Sequence, residues 1–165
     1  DVELHPGAGP RHFDFHPNGK YAYAINELDN TITTMDYERA SGRLTVIETV
    51  SALPEGWSGS SSCADLHISP DGRFIYGSNR GHDSIVIYAI DPTTGRLEYV
   101  GHETTRGNNP RNFAIEPSGR YLLAANQDTD NIIVFEVDNE SGKLTATGTE
   151  VSVSMPVCLK LVPTA

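Results

Sequence analysis

His16-Pro17-Asn18-Gly19-Lys20-Tyr21, Ser69-Pro70-Asp71-Gly72-Arg73-Phe74 and Glu116-Pro117-Ser118-Gly119-Arg120-Tyr121 are three copies of one pattern, separated by 53 and then 47 residues. In each copy Pro presets φ and Gly accepts φ > 0, the chemistry of a tight turn between two strands. The same offsets relate Asn26, Asn79 and Asn126. They also relate Ser41-Gly42-Arg43-Leu44, Thr94-Gly95-Arg96-Leu97 and Ser141-Gly142-Lys143-Leu144. Three independent anchors in one register define an internal repeat, whereas one Pro-x-Gly alone carries little.

Each repeat holds four strand-like runs. In the first unit they fall at about 11–16, 20–26, 31–37 and 43–50. The third run reads Ile32-Thr33-Thr34-Met35, then Ile85-Val86-Ile87-Tyr88, then Ile132-Ile133-Val134-Phe135. The latter two are apolar at successive positions, so both faces of those sheets are expected to be buried; a single open sheet would alternate. Four strands per unit at a period near 50, each sheet sandwiched by the next, is the sequence signature of a propeller. The expected fold is therefore all-β: a β-propeller domain over 1–165, with three four-stranded blades at about 10–52, 63–105 and 110–151. Pro156-Val157-Cys158-Leu159-Lys160-Leu161-Val162 aligns with Pro110-Arg111-Asn112-Phe113 and is expected to be a closing inner strand over 156–163. It would complete a blade begun elsewhere, so the chain reads as part of a ring. Its expected partner is the missing N-terminal half of the propeller, or a second copy at the open blade edges.

Composition narrows the function. A net charge of −10 argues against a nucleic-acid partner, and an anionic substrate would need a local positive site to overcome the global field. No apolar run approaches the roughly 20 residues of a membrane span. Cys63 and Cys158 form no disulfide framework, and no Cys/His spacing resembles a zinc site, so no metal is expected. Both cysteines read as buried free thiols of a reducing compartment, which gives a cytoplasmic expectation.

The repeat provides an internal control for function. A residue present in every blade, such as Asn26, Asn79 and Asn126, reads as structural, satisfying backbone groups at the turn after the second strand. A polar residue that changes between blades at a ring-facing position is a site candidate. The innermost strand crosses the disc and the second strand returns, so the start of one and the end of the other share a face beside the channel. The first position carries Arg11-His12, Ala64-Asp65 and Arg111-Asn112; the second carries Glu27, Arg80 and Gln127. Arg11, Arg80 and Arg111 can hold an oxyanion or an acidic substrate, and Glu27 or His12 can act as a base. Asp65, Asn112, Arg111 and Gln127 are the expected substrate contacts. A structural ion pair is the alternative for Glu27 and its arginine, and a hydrogen-bonded structural role is the alternative for His12. His82 reads as solvent-exposed, and His5, His16, His67 and His102 as structural. The connection Leu53-Pro54-Glu55-Gly56-Trp57-Ser58-Gly59-Ser60-Ser61-Ser62 is six residues longer than its counterpart in the next blade and enters an inner strand on this face. It is a mobile loop or a lid.

Gly9-Pro10-Arg11-His12-Phe13, Asn26-Glu27-Leu28, Ser78-Asn79-Arg80-Gly81-His82-Asp83-Ser84, Pro110-Arg111-Asn112-Phe113 and Pro156-Val157-Cys158, with the three turn motifs, resemble the seven-bladed lactonase family. That family includes propeller-type 6-phosphogluconolactonases and carboxymuconate cyclases. The resemblance covers essentially the whole chain and corresponds to the C-terminal half of the family. It implies a hydrolase opening an acidic sugar or muconate lactone without metal or organic cofactor. It also implies active-site roles for Arg11, Glu27 and Arg80; a further family histidine belongs to the other half. The competing class is a non-catalytic propeller scaffold for ligand or protein binding, which would have no need of a converging Arg/Glu/Arg set.

Overall fold

A computed structural model describes residues 1–162. Twelve strands form three four-stranded antiparallel sheets, each in simple up-and-down order. The first sheet is β1 (Pro10–Phe15), β2 (Tyr21–Asn26), β3 (Thr31–Glu38) and β4 (Arg43–Ser51). The second is β5 (Ser62–Ile68), β6 (Phe74–Arg80), β7 (Ser84–Ile90) and β8 (Leu97–Thr104). The third is β9 (Pro110–Ile115), β10 (Tyr121–Asn126), β11 (Asn131–Val137) and β12 (Leu144–Ser152). A single 3₁₀ turn, Gln127–Thr129, stands between β10 and β11.

The repeated turns have one geometry. Gly19, Gly72 and Gly119 take φ of 68°, 76° and 77°, and their N–H groups donate to the carbonyls of His16, Ser69 and Glu116. Only a residue without Cβ adopts that conformation freely.

The middle blade is sandwiched, as its apolar runs require. Tyr23, Ile25 and Ile32 of the first sheet pack with Leu66, Ile75, Val86 and Tyr88 of the second. Tyr76, Ile85 and Ile87, on the other face of that second sheet, pack with Phe113, Leu122, Ile133 and Phe135 of the third. One polar device repeats across these interfaces. The hydroxyl of Tyr23 donates to the Gly95 carbonyl at 2.9 Å, and that of Tyr76 to the Gly142 carbonyl at 3.0 Å. Each acceptor lies in the β3–β4-type turn of the following blade. An added Cβ on Gly95 would lie 2.6 Å from the Tyr21 ring, and one on Gly142 would lie 2.4 Å from the Phe74 ring. The equivalent Gly42 of the first blade has open space around it. On the first blade's uncovered face, Phe13 and Phe15 are 44% and 48% exposed.

Three expectations are corrected. The segment 156–162 is not a strand: it runs past β9 without pairing to that strand's backbone. Leu159 N donates to Asn112 Oδ1 at 2.6 Å, and Met155 N donates to Asp130 Oδ1 at 2.7 Å. Position 163, the last of that expected strand, lies outside the described residues. Second, the backbone groups that Asn79 and Asn126 satisfy are not those of their own turns. Their Nδ2 groups donate to the carbonyls of Ala52 and Thr105, in the connections that lead into their blades. Third, Cys63 is buried but Cys158 is exposed.

Candidate functional site

The site begins with an irregularity that recurs in all three inner strands. Pairing of β1 with β2 slips between Pro10 and His12, leaving Arg11 as the extra residue. In the third blade Pro110 pairs with Asn126 and Asn112 with Ala125, which leaves Arg111 extra. In the second, pairing of β5 with β6 jumps from Cys63 to Leu66 across Ala64-Asp65. A β-bulge places two residues opposite one and re-aims their side chains. That is why Arg11 and His12, consecutive on a strand, both reach the same spot in the next blade: Arg11 Nη1 donates to the Ala64 carbonyl, and His12 Nδ1 to the Asp65 carboxylate.

Arg11, Glu27 and Arg80 converge. Arg80 Nη2 donates to Glu27 Oε1, and Arg11 Nε lies 3.5 Å from Glu27 Oε2. Arg80 Nη2 also donates to the Cys63 carbonyl at 2.9 Å, which fixes the guanidinium against the inner strand. Glu27 is about one-third exposed, and the two arginines are more covered. The hydrogen bond from Arg80 is the main reason the Glu27 carboxyl titrates below the usual range; partial burial opposes it, and the charges of Arg80, Arg11 and Arg111 add to it. Burial and the neighbouring Arg80 lower Arg11 from its ordinary value. Three guanidinium groups thus act on one carboxylate, a local positive excess in an acidic chain. Arg111 lies beside Gln127, its Nη1 donating to Oε1 at 3.4 Å.

Asp65 does not sit where a substrate could touch it. It is fully buried, and five donors from three blades fill its carboxylate: His12 Nδ1, Leu66 N, His67 Nε2, Asn112 Nδ2 and Phe113 N. Burial alone would raise its pKa. The His67 hydrogen bond and charge, the Phe113 N–H and His12 outweigh burial and leave it lowered. His67 responds in the opposite sense: burial opposes its charge, but the bond to Asp65 and that carboxylate's charge raise its pKa. His67, read from the sequence simply as structural, thus has a charged partner in Asp65. The usable signal was its position two residues after Asp65, which puts both on one face of a strand. Asn112 is likewise shared, donating to Asp65 and accepting from Leu159 N.

The long connection borders this face. Ser61 Oγ donates to the Arg80 carbonyl at 3.0 Å. Trp57 is held against His82 at 4.6 Å between ring centroids, and His82 against His102 at 5.3 Å. His102 donates through Nε2 to the Ala52 carbonyl and accepts from the Tyr99 hydroxyl at Nδ1. His82, expected to be solvent-exposed, thus anchors the loop together with His102. Among the described residues no cluster of His, Cys, Asp and Glu is placed to hold a metal ion, and no helix is long and apolar enough to cross a membrane.

Three bladed sheets, with polar side chains from each inner strand gathered at one end, define a β-propeller with a site on one face. The chain belongs to the family described as Lactonase, 7-bladed beta-propeller, which matches residues 1–161. It is 43% identical over 155 residues to a 6-phosphogluconolactonase of Bacillus subtilis, covering 94% of this chain and 44% of that one. A putative 6-phosphogluconolactonase of Bacteroides fragilis superimposes with a TM-score of 0.91 at 42% identity, over 98% of this chain and 44% of that one. The periplasmic gluconolactonase of Pseudomonas aeruginosa gives a TM-score of 0.92 at 38% identity, over 98% and 45%. The chain therefore spans less than half the length of these relatives.

Proposed function

We propose that this chain carries the lactone-opening face of a hydrolase acting on an acidic sugar lactone of the 6-phosphogluconolactone type. The observation that carries the reading is the gathering of Arg11, Arg80 and Arg111 around the single carboxylate of Glu27. Guanidinium groups grip phosphate or carboxylate with paired N–H donors, and the same groups stabilise the oxyanion formed when water adds to the lactone carbonyl. Both oxygens of Glu27 face arginines, which makes it a poor proton acceptor and a good clamp for the guanidiniums. His12 is the better base: its Nε2 has no bonding partner among the described residues. In this scheme His12 Nε2 takes a proton from water as the water oxygen bonds to the carbonyl carbon. The C–O bond of the ring then breaks, and the departing alkoxide takes that proton back. Arg111, Gln127 and Asn112 line the approach as substrate contacts.

The exposed Phe13 and Phe15 face is covered, in this reading, by further propeller blades such as the relatives carry, or by a second copy. The free thiols Cys63 and Cys158 support a cytoplasmic setting, although one similar protein is named periplasmic.

The test is acid release from 6-phosphogluconolactone, measured on the chain alone and joined to the remaining blades of a relative. Saturable hydrolysis above the spontaneous rate, lost in Arg80→Ala, is expected. Hydrolysis at the spontaneous rate by both forms refutes the proposal.

A further inference from the structure

We infer that Asp65 is a positioning residue, which fixes the His12 imidazole as the Nδ1–H tautomer and leaves Nε2 bare towards solvent. The inference rests on the hydrolytic reading of this face and gives Asp65 a role distinct from substrate contact.

An ionised carboxylate only accepts hydrogen bonds, so the ring nitrogen that meets it must carry the proton. In His12 that nitrogen is Nδ1, bonded to Asp65 Oδ1. The neutral ring then has its lone pair on Nε2, on a side chain 41% exposed while its partner is completely covered. A bare nitrogen facing water, with its opposite edge held by a buried anion, is the arrangement a general base requires.

Two further observations separate this from an incidental surface pair. Asp65 cannot swing away, because Leu66 N, Asn112 Nδ2 and Phe113 N hold both its oxygens, Leu66 N at 2.9 Å and Phe113 N at 3.2 Å. Its charge is also supported: His67 Nε2 donates to Oδ2 at 3.1 Å from the same strand. The carboxylate is thus built into the junction of three blades, where two half-exposed imidazoles meet it, His67 through Nε2 and His12 through Nδ1; His12 is the one that follows Arg11 on the bulged strand and so leaves Nε2 as its free nitrogen. The bulge at Arg11 makes the alignment possible, since it turns Arg11 and His12 together towards the Ala64-Asp65 bulge of the neighbouring strand.

The experiment is nitrogen-15 NMR of the histidine side chains in the 165-residue chain at mildly alkaline pH, for the wild type and Asp65→Asn. In the wild type His12 should show a protonated Nδ1 and a bare Nε2, the reverse of the preference of free histidine. In Asp65→Asn the Nε2–H form should gain at least half the population, because an amide cannot accept at both of its ends. A wild-type His12 carrying its proton on Nε2 overturns the inference, and that result decides even where the variant does not fold. An unchanged Nδ1–H tautomer in a folded Asp65→Asn protein also overturns it. In the lactone assay Asp65→Asn should lower kcat by about 10²–10⁴-fold with KM little changed, the loss expected on removing general-base action. A wild type without hydrolysis would sink the functional reading while leaving the tautomer result to stand on its own.

Discussion

Replacing Glu27 by alanine should destabilise the protein, and the size of the loss follows from its surroundings. Glu27 receives a hydrogen bond from Arg80 and faces Arg11 at 3.5 Å, with Arg111 close enough to act on its charge. Removing one partner of a buried ion pair costs about 3–5 kcal/mol, while an exposed pair contributes about 0–1 kcal/mol. Glu27 is 34% exposed and its arginines 14% and 19%, so the pair lies between these limits and about 2 kcal/mol is expected. For a domain of this size that is a fall of roughly 4–8 °C in Tm. The Glu27 carboxyl is held below its unfolded value, so its contribution is complete above about pH 4.3 and disappears as pH falls through the folded value. Melting followed by far-UV circular dichroism at low salt should therefore show a gap between wild type and Glu27→Ala at pH 7 that narrows below about pH 4. Added sulfate should recover part of the loss, because an external anion can sit between the two guanidiniums that Glu27 no longer pairs. A Tm change under about 1 °C at pH 7, or a gap that widens on acidification, would refute the idea that Glu27 neutralises this cluster.

Three other outcomes are expected. Tyr23→Phe and Tyr76→Phe should each cost about 1–2 kcal/mol in urea unfolding, since each leaves a buried glycine carbonyl of the next blade without its donor; a near-zero effect would mean the hydroxyls add nothing to blade packing. Burial lowers the pKa of His82, with Asp83 opposing; burial likewise lowers His102, opposed by its bond to Ala52 and helped by His82. Their stabilising contribution is therefore full above about pH 6.5 and is lost as pH falls through the folded values, so the emission of Trp57, the chain's one tryptophan, should shift with a midpoint below about 6.5 and lose that shift in His82→Ala. Gly142→Ala should destabilise by more than Gly42→Ala: both residues have positive φ, but only the former would press a Cβ into an aromatic ring, and equal losses in thermal melts would contradict this packing.

The architecture follows from local sequence information. Pro-x-Gly turns, strand-forming runs and a repeat of 53 and 47 residues are short-range information, and they led to three four-stranded sheets whose strands fall close to the expected runs. Because every blade runs the same way, the repeat also told which polar residues share one end of the inner strands, and Arg11, Glu27 and Arg80 do meet there. What tertiary structure alone decided is how these groups are used. A bulge is a one-residue slip between paired strands, invisible in a pattern of apolar residues, yet it turns Arg11 and His12 together towards the next blade. Asp65 looked like a lining residue because its position in the repeat is a mouth position. Only packing of the second blade between the first and third buries it and surrounds it with donors from all three. The segment after Ser152 shows the same limit from the other side. Its apolar alternation suits a strand, but a strand forms only where backbone groups pair, and this segment meets β9 through the Asn112 side chain instead.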